Sequence, residues 1–157
     1  MPQGVGGMIS YRMLLESDAE AFAQIRLSQL REEGAQETEG VGDAIAEYCR
    51  EHVPDGSFVA HLALDGEKII GTCGVSVVHK PPYFQNPGGK IALLSSIYVL
   101  PEYRRRGIAR TLLERAVRSA KDAGCRTVQI MASKMGVPLY ESFGFTRSER
   151  FMEFWTE

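Results

Sequence analysis

The chain lacks the marks of several large protein classes. No apolar run approaches the ~20 residues of a membrane-spanning helix. Residues 1–7 carry neither a basic patch nor an apolar stretch, so no export signal is expected there. Their glycines predict a flexible N-terminal extension, with Met8 as a second candidate start and one domain over residues 8–157. Three cysteines, Cys49, Cys73 and Cys125, are scattered without a metal-ligand pattern. No metal is therefore expected, and the thiols read as reduced, in a cytoplasmic setting. Cys73 and Cys125 fit packing better than nucleophilic roles. Neither a G-x-G-x-x-G fingerprint nor a Gly-Lys-Ser or Gly-Lys-Thr phosphate loop occurs. The basic cluster is short and has no interleaved aromatics, which argues against nucleic acid.

A chain of 157 residues, 44% apolar and 24% charged, has material for one sizeable core. The net charge of −2 hides an uneven distribution. Residues 16–56 hold eleven acids against three bases, and residues 104–126 hold eight bases against two acids. A solvated helix face explains the acidic run most simply; a surface facing a cationic acceptor is the sharper reading.

Alternation and periodicity predict strands over residues 9–14, 58–64, 69–78, 91–99 and 127–132. Helices are expected after a capping box at Ser17 to Glu20, over 43–53, over 107–123 and over 137–142. A closing strand is expected within 145–155. Asp65-Gly66 signals a hairpin. Gly71 and Gly74 suggest a bulge or a close backbone contact. Residues 79–90, with Tyr83 and Phe84, read as a long loop of the kind that forms lids. A strand, helix, strand run over 91–132 implies a parallel pair.

The most informative stretch is Val99-Leu100-Pro101-Glu102-Tyr103-Arg104-Arg105-Arg106-Gly107-Ile108-Ala109. A buried strand there enters a basic, glycine-bearing turn that opens an amphipathic helix. Free backbone N–H groups, the helix dipole and three arginines then converge as a phosphate cradle. The spacing Arg104, Gly107, Ala109 after Val-x-Pro-x-Tyr resembles the acyl-CoA pyrophosphate loop of the GNAT N-acetyltransferase superfamily. Leu139, Tyr140, Gly144 and Phe145 match a second family segment, Asn-x-x-Ala-x-x-Leu-Tyr-x-x-x-Gly-Phe. There Ser133 replaces the usual Asn and Gly136 the usual Ala.

The resemblance implies a mixed α/β (α+β) fold: a GNAT-like central mixed sheet of six to seven strands with a parallel splayed pair, flanked by about four helices. It implies acetyl-CoA as co-substrate, held by Ile97, Tyr98, Val99, Arg104, Arg105, Arg106, Gly107, Ile108, Ala109, Arg110, Ser133 and Tyr140. A backbone N–H at Val99, or at Tyr98, would hold the oxyanion, and Tyr140 would act as general acid; a core tyrosine is the plainer reading. Many family members place a Glu on the fourth strand, but residues 91–99 contain no carboxylate. A water relay through Ser95 or Ser96, His79, and Glu32 or Glu33 remain as routes for the amine proton. His52 and His61 fit packing positions. The function expected is direct acetyl transfer to a primary amine. An acyl-CoA-binding sensor with little catalysis is the alternative, and a phosphate-binding module without CoA is a third reading. The acidic region points to a small amine or polyamine, with peptide N-termini, amino acids and antibiotics open. Family habit favours a homodimer.

Overall fold

Along Phe58–Asp65 the side chains sort by turns to two faces, as a strand's period of two requires. Phe58, Ala60, Leu62 and Leu64 enter one core with Phe22, Ala23, Ala46 and Cys49. Ala63 enters a second core with Leu112, Leu113, Ala116 and Tyr140. The sheet thus separates two apolar layers. The computed structural model describes residues 7–157, apart from the Ser96 side chain; the expected extension falls, save for Gly7, outside the described residues. The elements are β1 (Ile9–Met13), α1 (Ala19–Glu32), α2 (Val41–His52), β2 (Phe58–Asp65), β3 (Lys68–His79), β4 (Lys90–Val99), α3 (Ile108–Asp122), β5 (Thr127–Ile130) and α4 (Val137–Phe143). Sheet order follows chain order: β1 to β4 pair antiparallel, and β4 and β5 pair parallel.

The mixed α/β class and its parallel pair stand as expected. The strand count is lower, with five strands among the described residues. No strand forms within residues 145–157. Phe145 still packs against the core, but Phe151, Phe154 and Trp155 stay largely exposed. The capping box is also different. Asp18, not Ser17, starts α1, and its carboxylate turns back to the Leu15 N–H at 2.8 Å and to both Arg12 amines.

α3 carries Ile108, Leu112, Leu113, Ala116 and Ala120 fully into the core. Burial contributes ~1.5–3 kcal/mol for each such leucine. Gly71 lets α3 approach: a Cβ there would sit 3.1 Å from Leu112 and 3.3 Å from the Tyr98 carbonyl oxygen. Gly74 has the Phe58 ring against it, at 2.7 Å from a Cβ position. Beside these glycines the β3–β4 register shifts. Thr72 pairs Tyr98 and Gly74 pairs Ser95, so Cys73 opposes two residues of β4. This bulge reverses the inside–outside sense of β4. Before it, Ala92 and Leu94 face the α3 core; after it, Ile97 and Val99 do, and Tyr98 is turned toward α1.

The loop after β3 is a closed hairpin rather than a lid. Lys80 N–H donates to Gly89 O, Tyr83 and Asn86 bridge, and buried Asn86 donates to Lys90 O. Among the described residues no helix is long and apolar enough to cross a membrane. No group of three His, Cys, Asp or Glu is placed to hold a metal there.

His61, buried between β2 and α3, shares a 2.7 Å hydrogen bond with Ser119 while its Nδ1 has no partner. Desolvation first, then the nearby Arg115 charge, lowers its pKa below the ordinary 6.5. The unfolded chain therefore takes up this proton at higher pH than the folded one. Its contribution to stability is full above about pH 6.5 and declines as pH falls through that value. Denaturant titrations from pH 7.5 to 5 should show a loss that His61→Gln lacks. Parallel profiles would exclude this titration.

Candidate functional site

Parallel pairing holds β5 to β4 only from Ile91–Thr127 to Leu94–Ile130. β5 ends there, and β4 runs on through its bulge to Val99 without a partner on that side. Leu100 N–H donates to Ile70 O at 2.9 Å. By alternation the Val99 N–H and C=O point away from β3, into the gap left by β5. Arg104 Nε occupies the Val99 carbonyl at 2.8 Å. Gln29 Nε2 occupies the Ile97 carbonyl at 3.0 Å. The Val99 N–H remains as a donor aimed at the gap.

A 3-10 turn, Pro101–Tyr103, leads from β4 to α3. Between them Arg105 and Gly107 both adopt left-handed backbone, with φ of 63° and 76°. Such turns aim successive N–H groups at one point. Gly107 precedes the first turn of α3, and no side chain caps it. The N–H groups of Ile108, Ala109 and Arg110 are thus helix-start donors with no intrahelical partner. A Cβ on Gly107 would meet nothing within 4 Å, so the space in front of this turn is open. Uncapped donors, a helix dipole and open room fit an anionic group.

The arginines are placed less uniformly than their sequence suggests. Arg104 does not face the cradle. Its two terminal amines grip Glu32, Nη1 on Oε1 at 2.7 Å and Nη2 on Oε2 at 2.8 Å. Tyr98 Oη donates to the same carboxylate at 2.5 Å. These bonds, Arg104 first, hold the Glu32 carboxyl below its ordinary range. Burial, then Glu32, pushes the Tyr98 phenol up to about 12. Glu32, Tyr98 and Arg104 form a clasp between the end of α1 and the end of β4. Arg106 lies over the Tyr103 ring, and Arg110 reaches Ser142 of α4 at 3.2 Å. Arg105 is exposed at the head of the cradle.

On α4, Tyr140 joins the core cluster that also holds Val99 and Cys73. Tyr140 is 7% exposed, and its ring meets Phe145 edge-on at 5.7 Å. Burial raises its phenol pKa above the ordinary value, with smaller contributions from Cys73, opposite the bulge, and Glu33. Its hydroxyl has no hydrogen-bond partner among the described residues. Gly136 is matched to this ring: a Cβ would lie 2.6 Å from Tyr140 Cε2. Ser133 Oγ accepts from the Gly136 N–H at 3.2 Å, so it closes the turn before α4.

The candidates for the amine proton separate clearly. His79 pairs with Lys90 at the start of β4, nine residues from Val99. At ~3.3 Å per residue it is roughly 30 Å from the gap. The antiparallel register, invisible in the sequence, puts it at the wrong end of the sheet. Glu32 is committed to Arg104 and Tyr98. Glu33 is exposed, and its Oε1 accepts from Gln29 Nε2 at 3.3 Å. The Ser96 side chain lies outside the described residues.

On the other face of the sheet, α1, α2, β2, β3 and β4 line an open pocket of about 300 Å³. Phe22, Ile45 and Phe58 form apolar walls, and Arg26, Tyr48, Ser76 and Ser95 supply polar groups. Tyr48 Oη and Ser76 Oγ are 3.0 Å apart. Arg26 donates to Gln29 Oε1 at 2.8 Å. Desolvation lowers its pKa, and the Glu33 charge opposes that shift. Arg26 and Gln29 escaped the sequence reading. The signal was there: with Ala19, Phe22 and Ala23 they follow the three-to-four residue spacing of the inward face of α1.

A mixed sheet whose parallel strands part beside an uncapped helix start, with a buried tyrosine in the core that holds Val99, fits the acetyltransferase class of α/β fold. The chain belongs to the acetyltransferase (GNAT) family, whose model matches residues 19–145. It is similar to N-acetyltransferase 8B of Rattus norvegicus, 28% identical over 110 residues, covering 68% of this chain and 48% of that protein. It is also similar to glucosamine 6-phosphate N-acetyltransferase of Trypanosoma brucei brucei, 27% identical over 85 residues, 54% of this chain and 56% of that one. The chain thus spans about half the length of the curated relatives it matches. A predicted acetyltransferase of Clostridium acetobutylicum, solved with acetyl-CoA, superposes with a TM-score of 0.90 at 27% identity, over 94% of this chain and 96% of that one.

Proposed function

We propose that this chain transfers acetyl from acetyl-CoA to a primary amine by direct attack. The observation that carries the reading is the Val99 N–H, turned away from β3 where β5 ends, with Tyr140 in the same core cluster and the uncapped start of α3 following β4. Acetyl-CoA supplies an activated thioester and two phosphates joined as an anion. The N–H groups of Ile108, Ala109 and Arg110 and the Arg105 side chain receive that anion. Ile97, Tyr98 and Val99 present strand backbone to the pantetheine. The Val99 N–H donates to the carbonyl oxygen as negative charge grows on it, an interaction worth ~10²–10³ in rate. Tyr140 donates its proton to the departing thiolate. Glu33 takes the amine proton, directly or through water held at Ser95.

Direct attack is supported by the state of the thiols. Burial pushes Cys49 up to about 11 and raises Cys73 further, so neither is a thiolate at neutral pH. No residue near the gap is then a ready nucleophile. The reduced thiols also support a cytoplasmic setting. The exposed Phe151, Met152, Phe154 and Trp155 support a homodimer.

The test is release of free CoA from acetyl-CoA over a panel of amines, alongside calorimetric titration with acetyl-CoA. Micromolar-range binding with amine-dependent CoA release is expected, with the acetylated amine recovered. Binding without release from any amine would favour the sensor reading. No binding would remove both.

A further inference from the structure

Arg26 is a cation set into a largely apolar cavity with no carboxylate among the wall residues. Among the described residues no acid lies within ion-pair distance of it: Glu33 acts on it only as a nearby charge, and its one hydrogen bond goes to a neutral amide, Gln29 Oε1. A guanidinium has five N–H donors in a flat fork suited to a carboxylate or phosphate. Partial burial of such a cation with no directly paired carboxylate is costly, and an anion on it offsets that cost. Three hydroxyls, on Tyr48, Ser76 and Ser95, share the cavity and can add donors to the same anion. The acidic residues of 32–47 do not line it: Glu32 is held by Arg104, Glu33 accepts from Gln29, Glu37 pairs with Arg31 at 2.6 Å, and Glu39, Asp43 and Glu47 face solvent.

The cavity is also tied to the reaction gap. One 2.8 Å hydrogen bond, the Gln29 amide and one 3.0 Å hydrogen bond link Arg26 to the Ile97 carbonyl at the bulge. Ser95, in the cavity wall, is on the other side of that bulge. A ligand anion on Arg26 is therefore linked through Gln29 to the Ile97 carbonyl, two residues before Val99. We propose that Arg26 receives a carboxylate or phosphate on the acceptor, so that the acceptor is a small amine bearing an anionic group a few atoms from its nitrogen. This rests on the acetyltransferase reading above for the reaction, but not for the binding of the anion.

The experiment uses matched probes: glycine against glycinamide, phosphoethanolamine against ethanolamine, and putrescine as the cationic arm. Binding is read by calorimetry on the protein with CoA bound, and turnover by CoA release. The anionic member of at least one pair should bind about tenfold more tightly than its neutral counterpart, as expected for a charge-assisted hydrogen-bonded pair. The pair that shows it separates carboxylate from phosphate. Arg26→Gln should abolish the preference and leave acetyl-CoA affinity unchanged. Arg26→Lys, which keeps the charge without the fork, should retain part of it and covers the case in which the glutamine variant does not fold. Anion preference in binding without CoA release would uphold the site and sink the transferase reading. CoA release with no anion preference, with putrescine favoured, or with a preference that survives in Arg26→Gln would overturn the site and leave the transferase reading standing.

Discussion

Tyr140→Phe should lower kcat by ~10²–10⁴, the range of a lost general acid, while acetyl-CoA affinity and stability stay close to those of the parent. The split follows from the surroundings of the phenol. Its ring is packed, at 7% exposure and edge-on to Phe145, and phenylalanine fills that space unchanged. Its hydroxyl has no hydrogen-bond partner among the described residues, so removing it breaks nothing in the fold. Burial keeps the phenol protonated at neutral pH. It is thus a standing donor, and a thiolate with a pKa near ~8.5 beneath Val99 would be the group to accept its proton. Steady-state kinetics with a true acceptor, beside thermal melts, check this. A fall of less than about threefold in kcat would reduce Tyr140 to a packing residue. Gly136 places that ring, because any larger residue would push on Cε2.

Gly107→Asp should weaken acetyl-CoA by thirtyfold or more, about 2 kcal/mol, without unfolding the protein. Two effects act in the same direction. An aspartate at this position can accept from the first N–H groups of α3, the donors reserved for the anion; such a cap is worth ~1 kcal/mol to the helix. Its negative charge also opposes the pyrophosphate within the first turn, where the dipole acts. The left-handed φ of 76° is a strain, but aspartate is among the residues that tolerate it, and nothing lies within 4 Å of its Cβ. Gly107→Asn separates the two effects, since it caps without charge and should lose less. Calorimetric affinities and melting curves of the two variants provide the check. Unchanged affinity in a folded Gly107→Asp would show that the anion is bound elsewhere.

The clasp of Glu32, Tyr98 and Arg104 shows where a motif and its chemistry part company. In the sequence Arg104 is simply the first of three consecutive arginines before Gly107, and its charge assigns it to the phosphate. In the fold its guanidinium is spent on Glu32 and the Val99 carbonyl. It fixes the end of β4, while the uncapped backbone donors of α3 and exposed Arg105 are left at the turn. Glu32 and Glu33 are equally acidic neighbours in the chain, yet one is locked in an ion pair and the other stays open. His79 carried a plausible chemistry and was misplaced by register alone.

Local signals determined most elements by themselves. The period of α3, the Asp65-Gly66 turn, the glycine-bearing basic turn and the Leu139 to Phe145 segment act over a few residues, so the sequence spells them out. The parallel pair followed from the length of the crossover between two apolar runs. Tertiary structure alone decided the rest. The β4 bulge depends on how Cys73 meets Ser96 and Ile97 across strands, and it alone sets which of Tyr98 and Val99 faces α1. The early end of β5, which exposes the Val99 N–H, is a pairing fact with no residue of its own. The pocket at Arg26 exists only because α1, α2, β2, β3 and β4 converge there; its residues, Phe22 to Ser95, are separated by up to 73 positions. Contacts of that range carry no short-range pattern.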